Sequence, residues 1–226
     1  MAQRGEGTVT ARRRGPRPGT PRAPRMSRAA REQQLLDVAE QTFAERGYSE
    51  TTMEQIAARA GITKPVIYDH FGSKERLLGA VVARNHEELL ASSAASLSRL
   101  GAHADPEAYV RAGVTAFLQF FGRHRDSFRT YQQQAAVIAA AGGDIEKLRQ
   151  DQASFIAERL GLLPDLASLP PHTRLGLAEI LVGTNERVTA WWMRNPEVTL
   201  DEAVDLVMSV IWTGLASRFA EPGSAD

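Results

Sequence analysis

The chain has 226 residues with 27 basic and 27 acidic side chains, 43% hydrophobic residues and no cysteine. That length can bury a real core, while zero cysteines exclude a disulfide scaffold, thiolate zinc sites, iron–sulfur ligation and thiol catalysis. Uncharged runs such as residues 206–217 are too short to cross a bilayer, and residues 1–27 lack a signal-peptide core, so a soluble cytoplasmic protein is expected.

The balanced charge hides an asymmetry. Residues 1–27 carry seven arginines against one glutamate, residues 28–100 nine basic and ten acidic groups, and residues 101–226 eleven and sixteen. A basic arm on an acidic body suggests a polyanion held at one end, with a solubilising tail as the alternative. Residues 12–25 are rich in Pro, Gly and Arg and are expected to be disordered when unbound. Arg14-Gly15-Pro16-Arg17-Pro18 departs from the Arg-Gly-Arg-Pro order of minor-groove hooks.

From Arg28 onward the pattern is helical. Leu35, Leu36, Ala39 and Phe43 share one face of a helix that Gly47 can end. Thr51 and Glu54 have capping-box spacing for a short helix that stops at Gly61. Thr63 can cap a second short helix, which tolerates Pro65 in its first turn and ends near Phe71-Gly72. Ser73 can cap a long successor. Helices are then expected from Asp105-Pro106 to Gly122, over 126–141, and from Asp144 to Leu160. A loop follows at 161–171, then helices over 172–194 and 200–219, the last opened by a Thr199/Glu202 capping box. No segment alternates as a strand would. The expectation is an all-α fold of about nine helices: a basic arm (1–27), a three-helix helix-turn-helix head (28–75), and a helical ligand-binding and dimerisation domain (76–226).

Two short helices around Arg59-Ala60-Gly61-Ile62-Thr63 form the helix-turn-helix signal, with Gly61 supplying a positive φ and Ile56, Ala57, Ile62 and Ile67 the core. The stretch Thr51-Thr52-Met53-Glu54-Gln55-Ile56-Ala57 through Gly61-Ile62-Thr63-Lys64-Pro65-Val66-Ile67-Tyr68-Asp69-His70-Phe71-Gly72-Ser73-Lys74-Glu75 resembles the N-terminal domain of the TetR family of bacterial transcriptional regulators. The match spans roughly residues 31–78. The Tyr-x-His-Phe-x-x-Lys-Glu segment is its most diagnostic part. The resemblance implies an all-α homodimer with one DNA-binding head per subunit and a variable C-terminal domain that holds an inducer.

At the head, Thr63 offers a hydroxyl and helix N-terminal N–H groups to a phosphate, or serves only as a cap. Lys64 can reach a phosphate or a guanine edge, and Pro65 and Val66 can meet a thymine methyl. Lys74, in the first turn of its helix, is expected at another phosphate. The resemblance makes Tyr68 and His70 backbone-phosphate donors and sets Thr52 near the same groove. Tyr68 could also pack its ring on the core, and His70 taken alone would be an ordinary surface histidine.

The last two helices are apolar on more than one side, so one side can serve the subunit's core and another a partner. A larger monomeric core is the alternative. Leu181, Val188, Trp192, Val207, Ile211 and Leu215 are the expected interface residues, and the resemblance implies the same helices. Six of the fifteen aromatic residues lie between Tyr109 and Tyr131. Phe117, Phe121, Phe128, Tyr131, Phe155, Thr184 and Trp191 are expected to line a ligand pocket, with plain packing as the alternative reading.

His86-Glu87-Glu88-Leu89-Leu90 lacks the second histidine of a zinc-hydrolase helix, and there is no nucleophile elbow or phosphate-binding glycine loop. No catalytic residue, metal or cofactor is expected, and the chain is not an enzyme by this reading. The expected function is a ligand-responsive repressor, released from a palindromic double-stranded DNA operator by a small apolar or aromatic effector. A ligand-independent architectural DNA-binding protein is the alternative.

Overall fold

The computed structural model describes residues 26–101, 105–140, 142 and 144–216, with side chains as far as residue 214. Most of the basic arm therefore lies outside the described residues. Ten helices and no strand are present among those that are described.

The head is α1 (Arg28–Arg46), α2 (Met53–Arg59) and α3 (Lys64–Phe71). Ser27 caps α1, its hydroxyl accepting from Ala30 N, and Gly47 ends it at φ 80°. The capping box of α2 sits one residue later than expected: Thr52 and Gln55 form it, not Thr51 and Glu54. Thr51 is instead buried, donating its hydroxyl to the Gly47 carbonyl at 2.8 Å, so it closes the end of α1. Gly61 turns the chain between α2 and α3 at φ 66°, a region costly for any residue with a Cβ.

The long α4 (Lys74–Ser98) follows, capped by Ser73, whose hydroxyl accepts from Arg76 N. Then come α5 (Pro106–Arg123), α6 (Arg125–Ala140), α7 (Ile145–Leu160), the single-turn α8 (Pro164–Ala167), α9 (Pro171–Trp192) and α10 (Leu200–Ala216). The count exceeds the expected nine because α8 forms inside the segment read as loop. Pro164 at its start and buried Leu166 explain why one turn is stable there. Thr199 and Glu202 cap α10 reciprocally, as expected.

Two apolar cores divide the molecule. The head core joins Leu35, Phe43, Ile56 and Ile67 to Leu77 and Val81 of α4, and continues to Ile138 of α6 and Ile145 of α7. The boundary expected after residue 75 thus falls in the first turn of a helix that completes the head. The body core gathers Leu89, Leu118, Leu166, Leu181 and Val207 with Trp192. A Cβ on Gly122 would stand 2.8 Å from the Trp192 ring, so glycine is what lets α5 approach α9. Among the described residues no helix is long and apolar enough to cross a membrane, and no cluster of ligating side chains could hold a metal ion.

Candidate nucleic-acid interface and ligand cavities

The helix α3 seats Ile67 and Phe71 in the head core and turns its other side outward. Thr63, Lys64, Pro65, Val66 and Tyr68 are all exposed along that face, and His70 is half-buried beside the Phe71 ring. Thr63 is the N-cap of α3, yet its side chain makes no capping hydrogen bond. The hydroxyl is thus left to an outside acceptor, as a phosphate contact requires, although Pro65 has no N–H and the Val66 N–H donates to the Thr63 carbonyl at 3.0 Å. Thr52 differs, because its hydroxyl is engaged as the cap of α2.

Lys64 Nζ lies 2.6 Å from Glu54 Oε1 and 5.6 Å from the Tyr68 ring. The hydrogen-bonded Glu54 carboxylate holds the Lys64 ammonium above its ordinary pKa, and the Lys64 ammonium holds the Glu54 carboxyl below its own. Both partners are exposed, and such a pair exchanges readily for another anion. The Tyr68 hydroxyl makes no hydrogen bond among the described residues.

Lys74 corrects the sequence reading. Its ammonium donates to the Tyr48 and Thr51 carbonyls at 2.9 Å each, reaches the Ser49 carbonyl at 3.5 Å, and lies 4.2 Å from the Tyr48 ring. Its donors are spent on the loop between α1 and α2 instead of on a phosphate. Tyr48 in turn donates to Glu75 Oε1 at 3.0 Å, and burial, reinforced by that carboxylate, pushes its phenol pKa up to about 12. This cluster pins the start of α4 to the loop before α2. It fixes the platform on which α3 is presented.

Two apolar cavities lie in the body. The upper one, farther from the head, is walled by Tyr109, Val110, Phe155, Ile156 and Arg159, with Asn185 among them. The lower one is walled by Phe121, Phe128, Tyr131, Leu148, Asn85 and His86. Leu89, Phe117 and Gln152 border both, so the cavities adjoin through one partition. They enclose about 600 and 510 Å³ of atom-free space, mouths included.

Of the expected pocket residues, Phe117 lines both cavities, Phe121, Phe128 and Tyr131 the lower, and Phe155 the upper. Thr184 and Trp191 line neither: Thr184 is half-buried elsewhere and Trp191 points outward at 36% exposure. The polar groups Asn85, His86 and Arg159 were not anticipated from the sequence. Asn85 Oδ1 and His86 Nε2 below, and Asn185 Oδ1 and Arg159 Nε above, are buried without a hydrogen-bond partner. Burial lowers the His86 pKa against the opposing pull of Asp151 and Glu87. Tyr131 is satisfied by Glu186 at 3.4 Å, and burial beside that carboxylate pushes its phenol up to about 12, so it stays a neutral donor. Arg149 neutralises Glu186 at 3.0 Å.

Three of the expected interface residues need correction. Leu181, Trp192 and Val207 are buried within the subunit, and Trp192 Nε1 donates to the Val198 carbonyl at 2.8 Å. Val188 and Ile211 pack half-buried on the same core, and the Leu215 side chain lies outside those described. The outward apolar stripe belongs instead to Ile180 and Trp191 on α9 and to Leu206 and Val210 on α10.

An all-helical chain that presents an unencumbered α3 from a three-helix head is a helix-turn-helix DNA-binding regulator. Family models agree: that of the bacterial regulatory proteins, tetR family, matches residues 35–81, and that of a tetracyclin repressor-like C-terminal domain matches 106–214. The chain belongs to the TetR family of transcriptional regulators, which are not enzymes. It is 30% identical to the HTH-type transcriptional activator FasR of Mycolicibacterium smegmatis, over 92% of this chain and 94% of that one. It is 27% identical to the HTH-type transcriptional repressor KstR2 of Rhodococcus jostii, over 84% and 93%. The crystal structure of a TetR-like regulator from Rhodococcus sp. RHA1 superposes with a TM-score of 0.58 at 33% identity, over 85% of this chain and 99% of that one.

Proposed function

We propose that this chain is a ligand-responsive transcriptional regulator: a cytoplasmic homodimer that binds a roughly palindromic operator and leaves it when a small apolar or aromatic effector enters the body. The adjoining apolar cavities carry this reading. Their walls include α4, which also completes the head core, so an occupant touches the element that seats the DNA-reading helix. An architectural protein with no inducer would have no use for buried, unpartnered polar groups in an apolar pocket.

Thr63 and Tyr68 serve as phosphate contacts, His70 and the N-terminus of α3 assist, and Lys64, Pro65 and Val66 meet base edges. The second copy docks on the stripe of Ile180, Trp191, Leu206 and Val210, which would otherwise leave large apolar side chains in water. Release from DNA acts as derepression or as loss of activation according to where the operator lies. Relatives named as activator and as repressor are compatible with one such device.

Selection of binding sites from a random-sequence pool tests the reading. The expected product is an inverted repeat whose half-sites lie about 34–36 Å apart, or a multiple of that. In Val66 variants the preferred bases should change, while Tyr68→Phe should weaken binding to all sites alike. A single asymmetric site occupied by one subunit would contradict it.

A further inference from the structure

Glu40 leaves the head and enters the body. It stands on α1, and its Oε1 accepts from Asn85 Nδ2 at 2.9 Å and from Ser127 Oγ at 2.5 Å. Its Oε2 accepts from Arg84 Nη2 at 2.7 Å, and Arg84 Nη1 also holds Asp37 at 2.6 Å. One carboxylate therefore ties α1 to α4 and to α6. Two of its three donors, Asn85 and Ser127, line the lower cavity.

Asn85 is only 7% exposed. The carboxylate determines which way its amide faces: Nδ2 donates to Glu40, which leaves Oδ1 as an acceptor with no partner. A buried acceptor left unpaired on a cavity wall is held at a cost that a ligand donor would remove. His86, the next residue, leaves Nε2 unpaired in the same wall. Ser127 has one hydroxyl proton, and Glu40 takes it. A ligand that draws on Asn85 or Ser127 therefore acts directly on the groups that hold the head.

We propose that the lower cavity takes an uncharged, largely aromatic ligand bearing a hydrogen-bond donor that meets Asn85 Oδ1, and that its occupancy is passed to the DNA-binding head through Glu40. This rests on the ligand-responsive reading above and adds the ligand's polar requirement and the route of the signal. Glu40 is a positioning residue in this scheme. It lines neither cavity of the body, so its loss removes the link between the two functions and the restraint on the Asn85 amide, and leaves the cavity wall itself in place. Linkage requires that whatever factor the ligand takes from DNA affinity, DNA takes from ligand affinity.

The test uses full-length protein, its best selected duplex, and N-phenyl-1-naphthylamine, an uncharged aromatic probe with a single N–H donor. The comparison compound, 1-phenoxynaphthalene, has the same shape and no donor, and is measured by displacing the amine. The amine should bind the wild type about tenfold more tightly than the ether, the worth of one well-made buried hydrogen bond. Asn85→Leu should erase that preference. In the wild type the amine should weaken DNA binding about tenfold, within the usual range of allosteric coupling. Because Glu40 also sets the Asn85 amide, coupling is read as the ratio of DNA affinities at zero and at saturating amine: in Glu40→Gln that ratio should fall to within twofold whatever the amine affinity, and Ser127→Ala, a milder change, should fall between.

Equal affinities for amine and ether, or no binding of the amine, overturn the ligand assignment. Undiminished coupling in both Glu40→Gln and Ser127→Ala overturns the route alone. Amine bound through Asn85 with wild-type DNA affinity unchanged overturns the ligand-responsive reading itself.

Discussion

Lys74 shows how a charged side chain near a DNA-binding helix can be structural. Three carbonyls of the loop between α1 and α2 surround its ammonium. Removing charge-assisted hydrogen bonds of this kind costs about 1–3 kcal/mol, with the lower end appropriate to a half-buried group. Lys74→Ala should therefore lower the melting temperature in the absence of DNA, read by circular dichroism. A side chain serving DNA alone would leave that temperature unchanged. His86 supplies a second test at this scale. Burial holds its folded-state pKa below the ordinary value of about 6.5, so unfolding takes up a proton once the pH falls beneath that value. The stability owed to neutral His86 is complete above about pH 6.5 and is lost as the pH falls from there towards the folded-state pKa. Thermal melts at pH 7.5 and 5.5 should show a drop that His86→Leu lacks.

At the scale of helices, motif and periodicity carried most of the information. The helix-turn-helix could be read because its turn glycine, its core residues and its caps sit next to one another in the chain. The register of the α2 cap could not, since Thr51-Thr52 followed by Glu54-Gln55 allows two boxes, and the burial of Thr51 against α1 chooses between them. Both α9 and α10 are apolar on more than one side, which announces two jobs without saying which side does which. The turn of each helix against α5 and α7 decides that, burying Leu181 and Val207 and exposing Ile180 and Val210. Asn85 and His86 were passed over for the same reason, because isolated polar residues in a long helix read as solvent-facing until the packing is known. The stripe makes a prediction of its own. Val210→Asp and Ile180→Asp should each yield folded monomers, because a charge would face an apolar partner surface at a cost of about 3–5 kcal/mol. Ile211→Asp, half-buried on the subunit's own core, should damage the fold instead. Light scattering together with circular dichroism separates the two outcomes.

For the molecule as a whole, the excess of positive charge lies in the first 27 residues of the sequence and the cavities lie in the body. The arm carries the positive charge, while residues 28–100 hold ten acidic and nine basic groups. If about three arginines of the arm neutralise phosphates, deleting residues 1–25 should reduce the slope of log K against log salt by about 2–3. Dimerisation should be untouched. Equal slopes, measured by anisotropy on full-length and truncated protein, would make the arm a solubilising tail. The central claim is that filling the body empties the head. Its most direct measurement is the affinity of the protein for its selected operator, with and without each uncharged aromatic compound that raises the protein's melting temperature. The expected result is a loss of about tenfold or more, in line with coupling energies of about 1–3 kcal/mol. Compounds that stabilise the protein by occupying the cavities, yet leave operator affinity unchanged, would contradict the account.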